Sequence, residues 1–140
     1  MPSPFTPGFP PNSVVTLLRV EGVAALAAAV TAYWFLGGNW WLFALLILAP
    51  DLSFFGLYAG PKAGAKIYNF AHTYTLPAIL GAVGWFGGIG WLTAVALIWI
   101  AHIGMDRAVG YGLKYPGFDH QTHLGLIGKA RKAQTLADAR

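Results

Sequence analysis

The sequence predicts an all-α, polytopic membrane protein: an antiparallel bundle of four transmembrane helices followed by a C-terminal interfacial segment. Three observations predict it. Hydrophobic residues make up 56% of the 140-residue chain and charged residues only 10%, where a soluble domain carries about 25% charged. The apolar residues fall into four runs of roughly 20, the length an α-helix needs to cross hydrocarbon. The connections between runs are short, which makes neighbouring helices antiparallel.

The length fits one domain. No cysteine is present, which excludes disulfides, thiolate metal sites and cysteine nucleophiles. Residues Met1 to Asn12 hold five prolines and no charged side chain. They read as an extended arm on the membrane surface, and no basic stretch leads an apolar one as in a signal peptide. Ser13 is placed to cap the first helix.

The first run extends from Val14 to Leu36 and ends at Gly37-Gly38-Asn39. The second, Trp40 to Ala59, ends at Gly60-Pro61-Lys62. The third spans Ala65 to Phe86 before Gly87-Gly88, and the fourth Ile89 to Tyr111. The bundle thus covers residues 13–111. Pro50 and Pro77 fall inside the second and third runs and release the carbonyls of Leu46 and Thr73, which predicts kinks near mid-membrane. Residues 112–140 form a turn-rich cytoplasmic loop and then a basic tail. There Leu124, Ile127 and Leu136 alternate with Lys129, Arg131 and Lys132, as in a helix lying on the bilayer surface.

The formal charge of +4 is a topology signal and not a nucleic-acid footprint, because the basic residues sit in short segments between apolar runs. Lys62 and Lys66 share a side with Arg19, Arg107, Lys114, Lys129, Arg131 and Lys132, while the first and third connections hold no Lys or Arg. That bias puts both termini in the cytoplasm. Trp34, Trp40, Trp41, Trp85 and Trp91 gather at the opposite ends, as an interfacial aromatic belt does.

Ionisable groups interrupt the apolar runs, and their depth is the main functional signal. Counted from the cytoplasmic end of each helix, Glu21, Asp51, His72, His102 and Asp106 fall in one layer about one turn thick, roughly 10 Å below the surface. All four helices contribute to it. His102 and Asp106 are four apart and share a face, as do Asn69 and His72 at three apart. Small residues (Ala24, Ala25 and Ala28 near Glu21; Ala101 and Gly104 near His102) would let the helices approach closely.

Three readings fit this layer. A divalent metal, Zn²⁺, Fe²⁺ or Mn²⁺, suits its mixed imidazole and carboxylate donors. Asp51, His72 and His102 would be ligands, Glu21 and Asp106 ligands or a general base, and His123 a further ligand if its loop folds over the cytoplasmic mouth. Asp119 is a second candidate for that role. Asn69 and Tyr74 would support the ligands or touch substrate. The ion would activate water, or oxygen if iron, against a lipid or other amphiphile. The same groups could instead relay protons or ions. They could also hydrogen-bond between helices in a structural accessory subunit, with Tyr58, Tyr68 and Tyr74 as partners. A homo-oligomer or a membrane-complex partner is compatible with each. No Gly-rich phosphate loop, Gly-x-Ser-x-Gly or His-Glu-x-x-His motif is present, so no organic cofactor site is predicted.

Several motifs together resemble a known family: Leu18-Arg19-Val20-Glu21-Gly22, Ala49-Pro50-Asp51-Leu52-Ser53, Tyr68-Asn69-Phe70-Ala71-His72-Thr73-Tyr74, Ala101-His102-Ile103-Gly104-Met105-Asp106-Arg107, Gly110-Tyr111-Gly112-Leu113-Lys114-Tyr115-Pro116 and Thr122-His123-Leu124-Gly125. Over about residues 14–128 the chain is similar to small bacterial integral membrane proteins grouped as a domain of unknown function. The resemblance implies a four-helix membrane fold and carries no activity, and the expected location is a bacterial cytoplasmic (inner) membrane.

Overall fold

The computed structural model describes residues 10–116 and 118–138. Most of the expected Pro-rich arm, and the side chain of Asp119, lie outside the described part. The chain is mainly helical. Three helical stretches, Asn12–Phe35, Trp40–Ala59 and Gly90–Val109, are long and apolar enough to cross a membrane.

Helix α1 (Asn12–Phe35) starts one residue before Ser13, behind Pro11, with no side-chain cap, so Ser13 does not take the expected role. It ends in a turn at Gly37, whose φ of 69° is a left-handed conformation that costs glycine little. Asn39 then caps α2 (Trp40–Leu46), its Oδ1 accepting from the backbone N–H groups of Trp41 and Leu42 at 2.9 and 3.2 Å.

The second run continues as a 3₁₀ helix over Ala49–Ala59. Pro50 sits at its start, where the missing N–H cannot continue an α-helical ladder. The tighter register begins there, with the Asp51 N–H bonding the Leu48 carbonyl at 3.1 Å. The expected kink is therefore a change of helix type.

The third run is broken outright. Helix α3 (Pro61–Ala71) and helix α4 (Thr75–Phe86) are separated by residues 72–74, and Pro77 lies in the first turn of α4. Each half is too short to span hydrocarbon alone, since about 20 helical residues are needed. Helix α5 (Gly90–Val109) follows the left-handed Gly88, closing a tight hairpin with α4 in which the Ile89 N–H reaches the Gly84 carbonyl at 2.8 Å.

After α5 comes a small antiparallel sheet, β1 (Lys114–Tyr115), β2 (Phe118–Thr122) and β3 (Gly125–Leu126), in the order β1-β2-β3. It replaces the irregular loop expected there. Helix α6 (Gly128–Asp138) carries the basic tail.

Helix α5 is the centre of the packing, with α1 on one side and α4 on another, while α3 packs on the 3₁₀ helix. Glycine sets the α1–α5 crossing. A Cβ on Gly22 would lie 2.5 Å from Arg107 Cβ and 2.9 Å from the Gly104 carbonyl oxygen, and one on Gly104 would lie 2.7 Å from the Leu26 nitrogen. Ala24 and Ala28, expected to serve close approach, are exposed instead. Large apolar side chains cover the outside, among them Leu17, Phe35, Trp41, Phe55, Phe86 and Trp91. In water such a surface would aggregate, and in hydrocarbon it is ordinary.

Candidate metal centre

Four donors meet at one point: Asp51 on the 3₁₀ helix, His72 at the end of α3, and His102 and Asp106 on α5. The local sequence brings each one there. Pro50 turns the second run into the register that presents Asp51. The break at residues 72–74 ends α3 on His72, which frees its ring from a helical face. The i, i+4 spacing on α5 aligns His102 with Asp106.

The distances are short and nearly equal. The two Nε2 atoms stand 3.1 Å apart. His72 Nε2 is 3.4 Å from both Asp51 Oδ1 and Asp106 Oδ2, and His102 Nε2 is 3.5 and 3.6 Å from the same two oxygens. All four ligand atoms lie within 4.8 Å of one another. Both imidazoles are fully buried, whereas the Asp51 side chain is 37% exposed and forms the open side.

The far side of each imidazole is fixed. His72 Nδ1 is 2.9 Å from the Tyr68 carbonyl and His102 Nδ1 is 2.6 Å from the Ile47 carbonyl. A carbonyl only accepts, so each Nδ1 carries a proton, and in the neutral ring each Nε2 then presents a lone pair to the centre. The Ile47 carbonyl is available for a structural reason. Its 3₁₀ partner would be the N–H of residue 50, which proline lacks, and its α-helical partner, the Asp51 N–H, has gone to Leu48. The liberated carbonyl in use is therefore that of Ile47, one residue later than an α-helical count from Pro50 gives.

Further contacts hold the donors. Tyr68 stacks on the His72 ring, centroids 3.8 Å apart and 14° from parallel, and its hydroxyl lies 3.5 Å from Asp106 Oδ2. Buried Arg107 donates from Nη2 to the His72 carbonyl at 2.8 Å and from Nη1 to the Tyr111 carbonyl at 3.0 Å. This places a cation at the C-terminus of α3, where the helix dipole favours one. Trp99 Nε1 donates to the neighbouring Ala71 carbonyl at 2.6 Å.

Of the residues expected at the site, Asp51, His72, His102 and Asp106 come together, and Glu21 and His123 stand apart from that group. Glu21 is exposed on α1, where its neighbour Gly22 is the residue packed against α5. His123 closes the loop after α5, its Nδ1 accepting from the Leu113 N–H at 2.8 Å. Burial, and then the Arg107 guanidinium, hold its imidazole below the ordinary histidine value. Asn69 clamps the hairpin to α3, donating from Nδ2 to the Lys114 carbonyl at 2.8 Å and accepting from the Lys114 N–H at 2.7 Å. Tyr74, at the start of α4, is exposed. Arg107 and the Ile47 carbonyl were not foreseen as supports. The i, i+4 spacing of Tyr68 and His72 marks the stacked tyrosine in the sequence.

No curated protein and no solved structure matches the chain. Residues 15–127 match the family described as Domain of unknown function (DUF4260), and the chain belongs to that family.

Proposed function

We propose that the protein is a multi-pass metalloprotein of a bacterial cytoplasmic membrane, with both termini cytoplasmic. In this reading Asp51, His72, His102 and Asp106 hold one divalent ion, which acts on a lipid or other amphiphile. The observation that carries the reading is the convergence of four acceptor atoms with both Nδ1–H groups already committed to carbonyls. Two lone-pair nitrogens 3.1 Å apart beside two carboxylate oxygens repel one another unless a proton or a metal cation lies between them, and a divalent ion satisfies all four at once. Two carboxylates and two neutral imidazoles sum to a charge that a divalent ion balances.

The spacing favours zinc. Tetrahedral Zn²⁺ bonds of 2.0–2.1 Å imply donor–donor separations of about 3.3–3.4 Å, and five of the six here run from 3.1 to 3.6 Å. Iron and manganese accept the same donors and are the alternatives. Four donors at a single point support one ion and not a pair.

A bound ion would supply Lewis acidity and a more acidic water. The chain's own part is to keep the inner donors dry and fixed through Tyr68, Ile47 and Arg107, and to leave Asp51 at the opening. Carbonyls oriented on both imidazoles are the usual support for metal-ligating histidines. The fourth crossing of the membrane would be made by α3 and α4 jointly, with the break at residues 72–74 at ligand depth. The side-specific Lys and Arg bias and the exposed tryptophans at the other end support that topology.

Elemental analysis of protein purified in a mild detergent is the test. About one zinc, iron or manganese per chain is expected, lost in His72→Ala and in His102→Ala while helicity by circular dichroism is kept. A metal-free, fully folded protein that takes up no added Zn²⁺, Fe²⁺ or Mn²⁺ would overturn the proposal.

A further inference from the structure

The start of α1 and the end of α5 meet β3 and α6 around a cavity of about 250 Å³. None of the four donors lines it. Arg19 and Arg131 do, with Asn12 and Thr135 as the other polar side chains. Arg19 is anchored by one bond, its Nε donating to the Ala108 carbonyl at 2.8 Å. That bond leaves both Nη groups without a protein partner among the described residues. Arg131 reaches the same place from α6, since a Cβ on Gly110 would lie 3.8 Å from its Nη1.

Positive charge is in excess there. The C-terminus of a helix carries about half a negative charge, which offsets less than one of these cations at the end of α5. Arg107 is committed to the Tyr111 and His72 carbonyls, and Asp106 belongs to the donor cluster. No acidic residue lines the cavity, and neither arginine has a carboxylate partner among the described residues. Two guanidiniums on one cavity repel each other unless an anion lies between them. Their planar forks of N–H donors fit the paired oxygens of a phosphate.

The surroundings indicate what presents that phosphate. Val14, Leu17 and Val20, on the stretch of α1 that carries Arg19, are exposed apolar residues. In a membrane they border hydrocarbon, which puts the cavity at the level of the headgroups. Its volume falls below the roughly 300–1,000 Å³ of drug-sized ligand pockets, so it admits a headgroup and leaves acyl chains outside. We propose that this cavity binds the phosphate of an anionic phospholipid, with Arg19 and Arg131 on its oxygens and the chains lying along α1. The proposal is independent of the metal centre and rests on the membrane reading for the lipid as the source of the phosphate.

Native mass spectrometry of the full chain in a mild detergent, titrated with phosphatidylglycerol or with zwitterionic phosphatidylcholine, tests it. About one phosphatidylglycerol per chain should be retained, and phosphatidylcholine should bind at least about tenfold more weakly. Arg19→Gln and Arg131→Gln should each weaken retention about tenfold, and Arg131→Lys, which keeps the charge but loses the fork, severalfold. Lys132→Gln removes the same charge from an exposed position outside the cavity and should change little. Arg131 is exposed, so its variants keep the fold even if Arg19→Gln does not. Equal retention of the two lipids, or equal loss in Arg131→Gln and Lys132→Gln, would overturn the site. Displacement of the lipid by inorganic phosphate at matching concentration would overturn the lipid as the source. Bound zinc is resolved in the same spectra, so loss of lipid binding with zinc retained leaves the metal centre standing, and the converse leaves the lipid site standing.

Discussion

Gly22 of α1 and Gly104 of α5 face each other so closely that a side chain on either would enter the backbone of the opposite helix. Without a hydrophobic effect between helices in lipid, that backbone approach, together with the Arg19 Nε–H bond to the Ala108 carbonyl at 2.8 Å, holds α1 against α5. Gly22→Val and Gly104→Val should each cost about 1–3 kcal/mol through overpacking. The two changes should be non-additive, since one shift of α1 relieves both. Thermal unfolding in detergent of the single and double variants checks this, and strict additivity would argue against a shared contact.

Pro50 acts on the centre through what it lacks. Pro50→Ala restores an N–H that can compete with His102 Nδ1 for the Ile47 carbonyl. Affinity for zinc, read by competition with a chromophoric chelator, should fall about 10–100-fold, as when other metal-ligand supports are lost. Unchanged affinity would mean that the proline does not control that carbonyl.

Asn69 makes two hydrogen bonds to the Lys114 backbone and so carries much of the attachment of the hairpin to α3. In Asn69→Ala both Lys114 backbone groups lose their partner, at a cost of about 1–3 kcal/mol for each group left buried and unsatisfied. Amide exchange over residues 113–126 should accelerate while exchange in α5 stays slow. Equal protection in both proteins would show that the hairpin is held elsewhere.

The pH dependence of stability should carry a His123 component. Its folded value is depressed by burial and by the Arg107 guanidinium, so the neutral ring is the form that folds best. Its contribution is then complete above the ordinary histidine value of about 6.5 and is lost as pH falls through the depressed one. Protonation would also end the bond accepted from Leu113. Between pH of about 7.5 and 5, the wild-type Tm should fall more steeply than that of His123→Gln, whose amide oxygen accepts without titrating. Parallel curves across that range would refute the assignment.

How far the sequence reached follows from what helical counting can and cannot resolve. Counting at a fixed rise per residue locates depth, and depth alone brought Asp51, His72, His102 and Asp106 into one layer. Rotation about each helix axis was not legible. On a lipid-facing helix the outer surface is as apolar as the inner one, so no moment distinguishes Glu21 from Gly22. Prolines were visible, but Pro50 produced a 3₁₀ register, and the break in the third run fell at residues 72–74, ahead of Pro77. The hairpin at residues 114–126 escaped notice because its strands are two to five residues long. It is pinned by Asn69, a contact across 45 positions of sequence.

The change of helix type at Pro50 and the break after His72 have a mechanical consequence. The 3₁₀ helix and α3 pack on each other far more than on α5. They reach α5 through His102 on the Ile47 carbonyl, Trp99 on the Ala71 carbonyl, Arg107 on the His72 carbonyl, and the four donors themselves. The pair is thus fastened to the α5 body along one narrow seam, and the four donors lie in that seam, so a change at any one of them acts on how the two halves of the protein are joined.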